Sequence, residues 1–191
     1  AIGLPSYIGL AISLGIVSGL ALAVGHELAH KTTRGRRRMG KLFLAIAGCG
    51  QFLIAHLKRL HVAVCTPVDS ASSQMGESLY HFGFVRQQPG FFRESWALEK
   101  RRLARKGKGA WHIDNETLQQ YLMTGSLFGG LTVAFGLIVL PLLLFQMYVC
   151  WWYLSLIEYC QHYGLKRELN EDGSYKAPAL RHSWNTNMSV S

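Results

Sequence analysis

The chain is predicted to be an all-α integral membrane protein, a bundle of transmembrane helices beneath a cytoplasmic cap that carries the histidines. Two observations predict this. Residues 1–25 and 121–157 contain no charged side chain, and the positive charge belongs to the polar segments outside them. Of the 191 residues, 49% are hydrophobic and 16% charged, less charge than the ~25% of an ordinary soluble domain. The first run, as a helix, is long enough to cross a hydrocarbon core of ~30 Å. The second is long enough for two spans, with Pro141 as the expected break and Trp151, Trp152 and Tyr153 placed to anchor at an interface or line a cavity.

The domain organisation follows in order: a transmembrane helix at 1–25, a buried or re-entrant helix at 42–57, a cytoplasmic cap at 58–120, a transmembrane hairpin at 121–157 and a cytoplasmic segment at 158–191. The stretch 42–57, LFLAIAGCGQFLIAHL, is short for a span and holds two glycines. If it crossed, the basic loops around it would lie on opposite faces, against the tendency of Lys and Arg to stay on the cytoplasmic side. The formal net charge is +9, most of it in 30–41, 56–61 and 99–109. No aromatic residues are interleaved for base stacking, so nucleic acid is excluded as a partner. Cys49, Cys65, Cys150 and Cys160 form no C-x-x-C pair and read as packing residues in a reducing compartment. The chain opens without Met inside an apolar run and closes in polar HSWNTNMSVS, as expected of a piece of a longer protein.

The chemistry lies in the histidines. HELAH places His26 and His30 one helical turn apart, on one face, with Glu27 between them. That pair suits zinc hydrolysis, with Glu27 as general base, and equally any metal that binds imidazole. The predicted topology brings His56, His61 and His162 to the same face of the membrane, so these five are the candidate metal ligands. His81 and His112 read as solvated or structural. An intramembrane zinc protease would need an acidic third ligand, and the hairpin 121–157 offers no Asp or Glu. Glu158 lies four residues before His162, on its helix face, where a carboxylate can orient the ring. Glu27, Asp69, Glu77, His182 and Asn185 are the other candidates for supporting the ligands. Gly125, Gly129, Gly130 and Gly136 provide either close helix packing or room for a chain-like substrate.

HELAHK, HLKRLHVAVCTPVDSASSQMGESLY, HYGL and HSWNTN together resemble the integral-membrane alkane hydroxylases, non-haem di-iron enzymes of the wider histidine-box desaturase and hydroxylase group. TPVDSASSQMGES is the most specific part, since it contains no generic metal-ligand pattern. The first histidine box is complete in His26, Glu27, His30 and Lys31. The second, Glu-His-x-x-Gly-His-His in the family, here has Ala55, Arg59 and Leu60 in place of its Glu, Gly and first paired histidine, while His56 and His61 remain. EYCQHYG replaces Asn-Tyr-x-Glu-His-Tyr-Gly, Met188 stands where the family often has histidine, and a third box is expected beyond residue 191.

The resemblance implies two irons and a bacterial inner-membrane enzyme with its site on the cytoplasmic side. The implied reaction is hydroxylation of the terminal carbon of medium-chain alkanes with O2. Rubredoxin, reduced by rubredoxin reductase, would deliver the electrons, with the basic segment 99–109 as a natural dock for that acidic partner. Related hydroxylases or desaturases acting on fatty acyl or methyl-aromatic substrates are an alternative, as is a degenerate, non-catalytic member with Ala55 and Leu60.

Overall fold

The computed structural model describes residues 3–56 and 63–184. Among them there is no strand, only an isolated antiparallel bridge between Leu169 and Tyr175. His61, Leu60, Arg59, Asn185 and Met188 lie outside the described residues.

Helix α1 (Leu4–Ala29) starts with Pro5 in its first turn, where a missing N–H costs nothing. Helix α2 (Arg34–Ile46) then runs back along α1, exposing its arginines and burying Gly40, Leu44 and Ala45. The two backbones nearly touch: a Cβ on Gly40 would stand 2.8 Å from the Gly25 carbonyl oxygen and 3.0 Å from the Ala29 nitrogen. The stretch 42–57, expected as one helix, is broken at Ala47–Cys49. There Gly48 takes φ +69°, a left-handed conformation that reverses the chain, and the Trp151 indole donates to its carbonyl at 3.0 Å. Helix α3 (Gly50–Ala55) returns wholly buried, delivering His56 to the end of α1.

Residues 63–78 form a polar strap. After a single turn at Leu79–His81 and a π-helical segment at Phe82–Gln87, helix α4 (Gln88–Ala104) follows. Asn115 caps helix α5 (Glu116–Phe135) by accepting from the Thr117 and Leu118 amides at 2.9 and 3.2 Å. The α4–α5 corner is held by Glu99, which accepts from Arg102 at 2.6 Å and from the Glu116 amide at 2.8 Å. The break in the apolar run 121–157 falls at Gly136–Ile138, not at Pro141. Gly136 has φ +87°, whereas Pro141 sits in the first turn of helix α6 (Val139–His162), which tolerates proline.

Helices α1 and α6 are parallel neighbours. Tyr7 donates to the Ile138 carbonyl at 2.5 Å, Ser18 to the Gln146 side chain at 2.5 Å, and a Cβ on Gly19 would stand 2.6 Å from the Tyr153 ring. Sequence numbers rise together along the contact, so both C-terminal ends emerge at one end of the molecule. Among the described residues these two helices are long and apolar enough to cross a bilayer, and only 33% and 22% of their apolar stretches are buried within the protein. Leu4, Ile8, Leu10, Ile12, Ile16, Val17, Leu20 and Val24 face outward from α1. A surface of that character suits lipid, and the chain is a membrane protein.

Candidate metal centre

Three histidines meet where α1 ends and α3 returns. His26 Nε2 lies 2.6 Å from His56 Nε2 and 2.9 Å from His30 Nε2, and one ligand atom from each of the three falls within 4.8 Å of the others. The i, i+4 spacing on α1 supplies the first pair, and the reversal at Gly48 supplies the third. One ring nitrogen carries either a proton or a single lone pair, so His26 Nε2 cannot complete good hydrogen bonds to both neighbours. A cation shared by the three resolves the conflict. Adjacent nitrogens around an ion at ~2.1 Å stand about 3 Å apart, close to the separations found here. Phe52 backs the cluster, its ring 4.7 Å from His56 and 5.9 Å from His26, and Phe91 lies 5.5 Å behind Phe52. This aromatic wall keeps water from the inner side of the rings. Nothing in its spacing marks Phe52 as functional in the sequence.

His162 enters from α6 on the same end. The residue is 7% exposed, and its Nδ1 lies 2.9 Å from the His182 carbonyl oxygen, a contact that fixes Nδ1–H as the donor and leaves Nε2 to face Glu158. Glu158 stands between the two groups of histidines, one carboxylate oxygen 4.0 Å from His56 Nδ1 and the other 3.8 Å from His162 Nε2. His182 contributes its carbonyl, while its Nδ1 accepts from the Ala179 amide at 2.9 Å. Burial, then Arg181 and Arg167, lower the pKa of this ring and favour its neutral form.

The remaining candidates support the site at a greater distance. Asp69 is buried and accepts from Ser72 Oγ at 2.5 Å and the Ala71 amide at 3.2 Å. Glu77 accepts from the Gln74 amide, His81 and Arg86 at 2.9, 2.7 and 2.5 Å. The strap TPVDSASSQMGES is stitched to the end of α6 by Ser73 Oγ donating to the Tyr159 carbonyl at 2.9 Å, the Gly76 amide to Tyr163 Oη at 3.0 Å, and Tyr159 Oη to the Glu77 carbonyl at 2.5 Å. These bonds clamp the turn that presents His162. Glu27 points elsewhere: it pairs with Lys31 at 2.5 Å and its side chain is 65% exposed. A general base for a protease would have to face the cluster, and the third group beside His26 and His30 is an imidazole, not an acid.

A cleft of about 390 Å³ opens between the π-helical segment, the start of α4 and α6, lined chiefly by Phe84, Phe92, Tyr148, Trp151 and Trp152. Trp151 and Trp152 therefore line a cavity. Gly125, Gly129, Gly130 and Gly136 have nothing within 4 Å of where a Cβ would stand. Among the described residues, close helix packing involves instead Gly15, Gly19, Gly25, Gly40 and Gly50.

A helical membrane chain whose helix ends gather three imidazoles around one point presents a histidine cluster that could hold a metal ion. The fatty acid desaturase family model matches residues 3–191. The chain is 47% identical over 190 residues to alkane 1-monooxygenase 1 of Alcanivorax borkumensis, covering 100% of this chain and 47% of that protein. It is 48% identical over 182 residues to the alkane 1-monooxygenase of Ectopseudomonas oleovorans, covering 95% and 45%. Against XylM, the xylene/toluene monooxygenase hydroxylase component of Pseudomonas putida, the identity is 30% over 182 residues, covering 93% and 47%. The chain belongs to the fatty acid desaturase family. It spans about half the length of the curated relatives it matches.

Proposed function

We propose that this chain is the metal-holding part of a membrane di-iron monooxygenase that hydroxylates the terminal carbon of medium-chain alkanes, using O2 and electrons passed from a reductase through rubredoxin. The observation that carries it is the convergence of the His26, His30 and His56 Nε2 atoms at the end of the molecule where His162 also emerges. Iron bound there would supply the redox capacity that O2 activation and attack on an unactivated C–H bond require. His26, His30 and His56 would hold one ion; His162, oriented by the His182 carbonyl, would contribute beside it, and His61 completes the expected set.

Phe52 and Phe91 keep the inner side dry, which strengthens every electrostatic contact to the rings. The aromatic cleft offers a hydrocarbon chain a route from lipid, with Ser155 at its α6 side one helical turn from Glu158. On this reading the histidine end faces the cytoplasm, where the exposed arginines of 34–38 and the basic end of α4 lie, and the latter is the surface for an acidic electron carrier.

The test is metal analysis of the protein purified from iron-supplied cells, beside octane oxidation with rubredoxin, its reductase and reduced nicotinamide cofactor. His26→Ala and His162→Ala are expected to lower both bound iron and octanol formation. A tightly held zinc with peptide-bond cleavage abolished by Glu27→Gln would overturn the proposal.

A further inference from the structure

Glu158 is the one acidic residue in the 24-residue helix α6, and its surroundings do not satisfy it. The residue is 4% exposed, and its Oε2 has no hydrogen-bond partner among the described residues. Among the described residues it stands 3.8 Å from His162 Nε2 and 4.0 Å from His56 Nδ1, with the buried Asp69 as a further acid close enough to act on it. Both distances exceed a hydrogen bond. An unpaired, desolvated carboxylate is heavily penalised, and such groups are retained where they pair or bind a metal. The His162 ring is prepared in the matching way: the His182 carbonyl takes its Nδ1–H, leaving the Nε2 lone pair directed at Glu158. A lone pair and a carboxyl oxygen facing one another offer two ligands to one ion. Two ligands at ~2.1 Å from a common ion stand up to about 4.2 Å apart, so the 3.8 Å gap accommodates a cation.

We propose that Glu158 is a metal ligand, which with His162 Nε2 forms a second cation position distinct from the one made by His26, His30 and His56. This rests on the metal-centre reading above and adds to it a carboxylate of this chain. His56 lies between the two positions, its Nε2 toward the first and its Nδ1 toward Glu158, so one ring couples them.

The experiment is titration of the purified, metal-stripped chain in detergent with Co²⁺, followed by ligand-field absorption and by bound metal after desalting. Glu158→Gln is the decisive variant: it keeps the shape and can still accept a hydrogen bond from a ring, but loses the charge. The wild-type chain should take two Co²⁺. In Glu158→Gln the first should bind as before while the second weakens by about tenfold or more with loss of its absorption, and Glu158→Asp should recover part of the second. Unchanged affinity for the first equivalent shows that the variant is folded. Two equivalents with wild-type affinity in Glu158→Gln would overturn the inference. A single equivalent, lost in His26→Ala and indifferent to Glu158, would overturn it while leaving the three-histidine site standing. No binding by the wild-type chain would overturn both.

Discussion

At the scale of single residues, most of the polar side chains near the centre hold the ligands in place. Glu77 shows this most clearly. Burial pushes its carboxyl upward, but the Gln74 amide, His81 and Arg86 outweigh that and hold it below the usual carboxylate range. A depressed carboxylate stabilises the fold above its unfolded pKa of ~4.3, and the contribution disappears as pH falls through the folded value. Glu77→Gln is therefore expected to lower stability by about 1–3 kcal/mol at neutral pH, since Arg86 loses its charged partner, and to flatten the acid side of the stability profile. Thermal unfolding in detergent across pH 3–7, a range set by the ~4.3 reference value, checks this; a variant as acid-sensitive as the parent would refute it. The strap residues that make these bonds were visible in the sequence only as a family signature. Their role in clamping the α6 terminus depends on contacts over more than 80 positions, such as Ser73 to Tyr159.

At the scale of elements, the parallel contact of α1 and α6 brings the two halves of the centre together. It depends on glycine: a Cβ on Gly15 would stand 2.5 Å from Val149 Cβ, and one on Gly19 2.6 Å from the Tyr153 ring. Gly15→Leu and Gly19→Leu are expected to push the helices apart, costing about 1–3 kcal/mol, and to weaken metal retention without touching a ligand. Gly125→Ala and Gly129→Ala meet open space and should be neutral, or stabilising by up to about 1 kcal/mol through helix propensity. Melting temperature and Co²⁺ retention measured on all four would separate the two sets, and equal behaviour would sink the packing argument. The uncharged, apolar length of each helix was legible in the sequence. Which glycines serve packing was not, because a glycine beside a partner and a glycine beside lipid look alike in one dimension.

At the scale of the whole molecule, the topology prediction is that both basic regions share one face. The α2–α3 reversal at Gly48 returns the chain toward the end it left, and α4 follows. Arg36 and Arg105 are exposed. With the exposed Cys160 replaced by serine, single cysteines at these two positions should react with a membrane-impermeant thiol reagent from the same, cytoplasmic side in spheroplasts and inverted vesicles. Labelling from opposite sides would break the shared site as well as the topology.

By itself the sequence determined the all-helical membrane character, the first histidine pair and the family. Each of these is written in local periodicity, uncharged length or a contiguous motif, and needs no knowledge of which segments meet. The position of the hairpin break and the division of 42–57 into two helices were decided by tertiary structure. Left-handed glycines at Gly136 and Gly48 are favourable only where the surrounding packing calls for a reversal. The same holds for the site. The sequence could list His56, His162 and Glu158 as candidates, but their meeting depends on parallel packing of helices more than a hundred residues apart. The outward turn of Glu27 toward Lys31 depends on which face of α1 is covered. Burial of Glu158 between two imidazoles is a property of three converging elements, and no single stretch of chain contains it.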